Sequence, residues 1–194
     1  MSEVEIEIDS QEFIENMFAV ALKIDDYLDI VEAVQQTSLI AGRDFQKKFN
    51  AFFRIRQRSN AWYETYYELL QEQVKAERSF EYILQALYNV NGKIEVSFSS
   101  KLIAAADPTR PIWDSNVLGK LGCVQEWNDV AKKTPEERIQ QAVQIYNCMN
   151  KAYDKFIASE EGKACISKFD GILPRYKDKL SDVKKVDYIL WGTK

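Results

Sequence analysis

Apolar residues recur at every third or fourth position along most of the chain, which is the spacing of one face of an α-helix. The clearest case is residues 10–36, where such positions run from Phe13 to Val31. Asp9 followed by Glu12 is a candidate capping box at the start of this segment. The pattern therefore predicts a long amphipathic first helix over residues 10–36.

The same periodicity continues between turn signals in the rest of the chain. After a break at Gly42, a second helix is predicted to carry four phenylalanines toward Arg58. Residues 60–90 continue as one or two helices that end at the turn signal of Asn91 and Gly92.

The second half of the chain contains the strongest local signal. In residues 134–137, Thr-Pro-Glu-Glu, a threonine cap precedes a proline at the first helical position and a glutamate at the third. The helix that begins there is expected to end near Gly162, a short helix to end at Gly171, and a last helix to be capped by Ser181.

Together these segments predict an all-α protein of about eight to ten helices. With only 7 glycines and 4 prolines, the composition does not suit a turn-rich β-sandwich or barrel. No repeat or low-complexity linker divides the chain. We expect residues 9–194 to form a single compact helical domain, with division into two lobes as an option, and residues 1–8 to be a mobile acidic tail.

Composition excludes several chemistries. The chain has no histidine, which removes Ser-His-Asp and Cys-His nucleophile systems and histidine metal sites, and it has neither a GxxxxGK[ST] nor a GxGxxG loop. We therefore expect no metal and no cofactor. The acidic start lacks the features of a signal peptide and no apolar run reaches 18 residues, so the expectation is a cytoplasmic protein with no membrane span.

The segment from Ser97 to Gly122, SFSSKLIAAADPTRPIWDSNVLGKLG, carries the main functional hypothesis. Its second half, PIWDSNVLGKLG, resembles the aspartate motif of the helix-hairpin-helix DNA glycosylase superfamily, in which an apolar run leads to an aspartate that opens a helix. Its first half, SFSSK, falls where that family has a Gly-apolar-Gly-x-Lys hairpin, although Ser97 and Ser99 replace the two glycines.

This resemblance implies that Asp114 matches the catalytic aspartate and Lys101 the lysine that forms a Schiff base in bifunctional members. It also implies DNA as a partner, contacted through the hairpin at Ser97 and Ser99. The alternatives are that Asp114 only caps its helix and that Lys101 is a solvated lysine at a helix start. The segments FNAFFRIRQRSNAWYETYYELL, NGKIEVSFSSKLIAAADPTRPIWDSNVLGKLG and DVKKVDYILW together resemble a family of small uncharacterised bacterial proteins, and this resemblance implies no activity.

A second candidate contact surface lies in residues 52–70, FFRIRQRSNAWYETYYELL. Arginines interleaved with aromatic residues suit phosphate pairing and base stacking, so Arg54, Arg58 and Trp62 are candidate nucleic-acid contacts. The alternative is core packing, because aromatic residues at helical spacing usually face the interior.

The charge distribution supports a different function. Residues 1–42 contain ten acidic residues and one basic residue, a net charge of −9, within a chain whose net charge is −4. The competing hypothesis is a non-catalytic helical protein-interaction module whose acidic first helix, through Asp25, Asp26 and Asp29, binds a basic partner.

Overall fold

The computed structural model describes residues 10–120, 127–128 and 133–192. These residues contain ten α-helices, one 3₁₀ helix and no strand, so the predicted all-α fold is confirmed. The helices, in chain order, are α1 (Ser10–Gln35), α2 (Thr37–Ile40), α3 (Arg43–Phe53), α4 (Asn60–Lys75), α5 (Phe80–Asn91), α6 (Val96–Ala106), α7 (Ser115–Lys120), α8 (Pro135–Ala158), α9 (Glu160–Ile172) and α10 (Asp182–Gly192), with the 3₁₀ helix at Pro174–Tyr176. The tail predicted over residues 1–8 and the capping residue Asp9 lie outside the described residues.

Hydroxyl caps explain why several helices start where they do. Thr134 accepts a hydrogen bond from the Glu137 backbone N–H, and the Glu137 side chain accepts one from the Thr134 N–H, as the sequence predicts for a capping box. The Ser59 and Ser79 hydroxyl oxygens cap α4 and α5 by accepting hydrogen bonds from the Trp62 and Tyr82 backbone N–H groups. The cap at Ser79 divides residues 60–91 into two helices, which the sequence left open.

Helix α3 ends earlier than its phenylalanine pattern predicts. Arg54 adopts the left-handed conformation, with φ 56° and ψ 38°, so the helix stops at Phe53 instead of running toward Arg58. The chain then turns at Gln57, which also has φ 56°. This early end places the last carbonyl groups of α3 beside α6.

The buried apolar side chains form two clusters. The larger cluster contains residues from all ten described α-helices, and its largest fully buried side chain is Trp62. The smaller cluster joins α1 to α9 and α10 around Tyr27, Phe169 and Ile189. Helix α10 packs against α1, α7, α8 and α9, so it is a central helix although it comes last among the described helices. Within the described residues, no helix combines the length and the apolar character that crossing a membrane requires.

Candidate active-site cleft

A cleft of about 490 Å³ opens between α1, the end of α3, α6, the start of α7 and α10. We call it the cleft. Its apolar walls include Phe52, Phe53, Tyr188 and Trp191. The basic side chains that line it are Lys23, Lys48, Arg54, Lys101 and Lys184. The acidic side chains are Asp26, Asp114 and Asp187. Basic groups therefore outnumber acidic groups around an apolar floor.

Lys101 extends into the cleft from the middle of α6. Its Nζ donates a hydrogen bond to the Phe53 carbonyl oxygen at 3.2 Å and lies 5.3 Å from the centre of the Phe98 ring. Burial lowers the pKa of the Lys101 amine; the nearby Asp114 carboxylate opposes this change, whereas Arg54 adds to it. Lys101 is therefore not a solvated lysine at a helix start, which was the alternative. Its lowered pKa also makes the neutral amine easier to form than in an exposed lysine.

Asp114 has a structural role and also lines the cleft. Its Oδ1 accepts a hydrogen bond from the Asn116 N–H at 2.8 Å, and its carbonyl oxygen accepts one from the Leu118 N–H, so it caps α7. It is only half-buried. The two interpretations of Asp114 from the sequence are therefore compatible, because the cap uses one carboxylate oxygen while the side chain also borders the cleft.

Three side chains hold the loop of residues 107–114 that brings Asp114 back toward α6. Ser100 accepts a hydrogen bond from the Trp113 N–H at 2.9 Å, and the Tyr146 hydroxyl donates to the Pro111 carbonyl at 3.0 Å. The Ser181 hydroxyl donates to the Pro108 carbonyl. These contacts come from three different helices or helix starts, so they fix the loop relative to Lys101. None of the three residues was predicted as part of the site.

A buried ion pair lies at the back of the cleft. Lys184 Nζ is 3.2 Å from Asp187 Oδ2, and the side chains are 6% and 7% exposed. The Tyr153 hydroxyl donates to Asp187 Oδ1 at 2.7 Å. Burial raises the pKa of the Asp187 carboxyl, while Lys184, Tyr153 and the Ile112 N–H act in the opposite direction. This pair was not predicted from the sequence, although the charged residues among the apolar ones in the segment DVKKVDYILW were a signal for it.

Ser97 and Ser99, the predicted hairpin contacts, do not line the cleft. Ser97–Lys101 is helical throughout, and the turn that joins α5 to α6 is residues 92–95, with Gly92 at φ 65°. Ser99 is fully buried. The prediction of a hairpin at Ser97 and Ser99 is therefore wrong, because their backbone lies within α6 and the tight turn precedes them.

The arginine and aromatic candidates separate in the structure. Trp62 has no exposed surface and stacks on Tyr66, with ring centres 4.8 Å apart, so core packing describes it and base stacking does not. Arg58 pairs with Glu95 at 3.2 Å and does not line the cleft. Of these three candidates, only Arg54 borders the cleft.

The acidic residues of α1 mostly face intramolecular cations. Asp25 pairs with Arg175 at 3.0 Å and Asp29 with Lys48 at 2.7 Å, whereas Asp26 lines the cleft. The acidic docking helix stays a prediction, and two of its three proposed contacts already have partners within the chain.

The basic side chains of the cleft, Lys101 among them, can bind an anionic ligand beside its aromatic residues. The Asp114 carboxylate can stabilise positive charge that develops on that ligand. Comparison of the chain with protein-family models, with curated proteins and with solved structures gives no match.

Proposed function

We propose that the protein cleaves N-glycosidic bonds in DNA, releasing a base. The observation that carries this proposal is that Lys101 and Asp114, thirteen residues apart, line one cleft with an excess of basic side chains. A sugar held between an amine and a carboxylate is the arrangement that this reaction needs, because positive charge develops on the sugar as the base leaves.

In the proposed reaction the neutral Nζ of Lys101 attacks the sugar carbon C1′. The bond from C1′ to the base nitrogen breaks, and its electron pair goes to the base, which takes up a proton. The Asp114 carboxylate stabilises the positive charge on the sugar during this step. The nitrogen then loses a proton, the sugar ring opens to an imine, and water hydrolyses the imine to free the lysine and leave an abasic sugar.

The surroundings support these two roles. Burial lowers the pKa of Lys101, so more of its amine is neutral and nucleophilic near pH 7 than for an ordinary lysine. The loop that carries Asp114 is fixed by hydrogen bonds from Ser100 and Tyr146, which limits the movement of its carboxylate. The volume of the cleft is within the range of small-molecule sites and suits one flipped base with its sugar.

The first test is base release from a panel of lesion-bearing duplex and single-stranded oligonucleotides, with the Asp114→Asn variant beside the wild type. Asparagine is as good a helix cap as aspartate, so this variant keeps α7 capped and removes only the charge. We expect base release by the wild type and a loss of at least about 100-fold in the variant. Equal rates in the two proteins would mean that Asp114 only caps its helix.

The second test traps the imine with borohydride on an oligonucleotide that carries an abasic site. The wild type should form a covalent adduct and Lys101→Met should form none. Lys93→Met is the matched control, because Lys93 is exposed in the α5–α6 turn and does not line the cleft. No adduct with any protein, together with no base release and no salt-dependent DNA binding, refutes the proposed function.

A further inference from the structure

Two cations, one partly exposed and one exposed, line the cleft near its mouth. Lys23 extends from α1, with Nζ 3.8 Å from the centre of the Trp191 ring, and Arg54 follows α3. The pKa of Lys23 is lowered by burial and also by the charge of Arg54, so the two groups are close enough to repel each other. Among the described residues, no carboxylate forms an ion pair with either of them.

Of the three other basic residues of the cleft, two have a carboxylate partner, while the third, Lys101, donates to the Phe53 carbonyl. Lys48 pairs with Asp29, and Lys184 pairs with Asp187. The carboxylate of Asp26 also lines the cleft, but it does not reach ion-pair distance of Lys23 or Arg54 within the described part of the chain. Neighbouring like charges with no protein counterion are stabilised when an anion binds between them.

The backbone at Arg54 points to the same site. Its left-handed conformation is one that glycine adopts freely and that a residue with a Cβ adopts at a cost. Helices that end in this way usually carry glycine at this position. An arginine here places a guanidinium at the mouth of the cleft, and backbone strain retained at such a place is typical of binding sites.

We propose that Lys23 and Arg54 form a phosphate-binding site at the mouth of the cleft. The guanidinium of Arg54 provides two parallel N–H donors for phosphate oxygens, and the ammonium of Lys23, held against Trp191, provides the second charge. The assignment of this phosphate to a DNA strand rests on the proposed function. In that case the strand is held from the α1 and α3 side of the cleft, and not by Ser97 and Ser99 of α6, the contacts predicted from the sequence.

The test measures binding separately from base release, using fluorescence anisotropy of labelled oligonucleotides at fixed ionic strength. Arg54→Gly removes the guanidinium and suits the backbone conformation. We expect the melting temperature to rise by about 2–4 °C, the dissociation constant to increase about tenfold, and the slope of affinity against salt to fall by about one. Lys23→Gln should weaken binding similarly.

Gln57→Gly is the matched control. Gln57 has the same φ of 56°, is exposed, and does not line the cleft, so its replacement should raise the melting temperature and leave binding unchanged. A second arm titrates inorganic phosphate and follows the melting temperature. Loss of the response in Arg54→Gly supports the site, and the arm in which the loss occurs identifies strand phosphate or free phosphate as the ligand.

Unchanged binding by Arg54→Gly in both arms overturns the inference. That result is separate from failure of the proposed function. If DNA binding depends on Arg54 but no base is released, only the proposed reaction at Lys101 and Asp114 is refuted. Base release with an Arg54→Gly affinity equal to that of the wild type removes only the phosphate site.

Discussion

Replacing Lys184 by methionine is expected to destabilise the protein strongly. Methionine has nearly the length and volume of lysine, so packing changes little while the positive charge is lost. Asp187 is then left at the back of the cleft without its ion-pair partner and with only 7% of its side chain exposed. Removing one partner of a buried ion pair typically costs about 3–5 kcal/mol, because the remaining charge is neither hydrated nor paired.

The structure allows this magnitude to be compared with a matched exposed pair. Lys163 and Glu160 are also three residues apart and their charged atoms are 2.7 Å apart, but their side chains are 60% and 93% exposed. Lys163→Met should change the free energy of unfolding by less than about 0.5 kcal/mol, since water solvates the carboxylate that remains. Because both pairs are within ion-pair distance, the difference in the free energy of unfolding between the two variants measures the effect of burial.

Urea denaturation followed by circular dichroism measures these differences, with midpoints compared at an unchanged dependence on urea. The double variant Lys184→Met/Asp187→Asn should recover at least about 2 kcal/mol of the loss, because both charges are then absent and Tyr153 can still donate to the asparagine oxygen. A single variant that costs less than 1 kcal/mol, or a coupling energy near zero, would show that water in the cleft solvates the pair.

The loss of stability in Lys184→Met should depend on pH, and the pKa of Asp187 determines in which direction. The folded-state pKa of Asp187 is raised by burial, so protonation of this group stabilises the folded state below the unfolded pKa, and that stabilisation is lost as the pH rises through the folded pKa. Removing Lys184 takes away a group that lowers this pKa. The deficit of Lys184→Met relative to the wild type should therefore be smaller at pH 4 than at pH 7. A deficit that grows on acidification contradicts this reasoning.

Three further predictions concern stability and are checked by the same denaturation assay. In Gly162→Ala the new Cβ would lie 1.8 Å from the Phe156 carbonyl oxygen, so we expect the free energy of unfolding to fall by about 2–3 kcal/mol. In Gly171→Ala the new Cβ would have no atom within 4 Å, so the free energy of unfolding should rise by up to about 1 kcal/mol. Equal effects of the two substitutions would contradict the close approach at Gly162. Thr134→Ala removes the capping box and should cost about 1 kcal/mol, and no loss would show that the cap contributes little. Trp62→Ala should cost about 3–5 kcal/mol, while the oligonucleotide affinity of the folded fraction stays unchanged; a tenfold weaker affinity would return this residue to the binding surface.

Local signals in the sequence predict most of the helices. The cap at Thr134, the break at Gly42 and the turn at Gly92 each act over a few residues, and the structure has helix boundaries at all three. The end of α3 was missed for a physical reason. The phenylalanine spacing continues to favour a helix, and nothing in the identity of Arg54 indicates that it adopts a left-handed conformation that arginine rarely adopts.

The candidate site was only partly visible in the sequence. Lys101 and Asp114 lie thirteen residues apart, within one motif, and the structure places both on the cleft. Lys184, by contrast, is 83 residues after Lys101, and only the packing of α10 brings it to the same cleft. Trp62 shows the opposite limit, because its aromatic spacing fits both a stacking surface and a core, and burial decides between them.

The position of α10 has a consequence for the order of folding. The cleft is bounded by the first and the last described helices, and Asp25 pairs with Arg175 across 150 residues of sequence. Such contacts close large loops, so they form late relative to contacts between neighbouring helices such as α4 and α5. During synthesis, helices α2 to α8 can pack while α10 is still missing. A ligand of the cleft would then bind only to chains in which α10 has docked, and it would stabilise that step of folding.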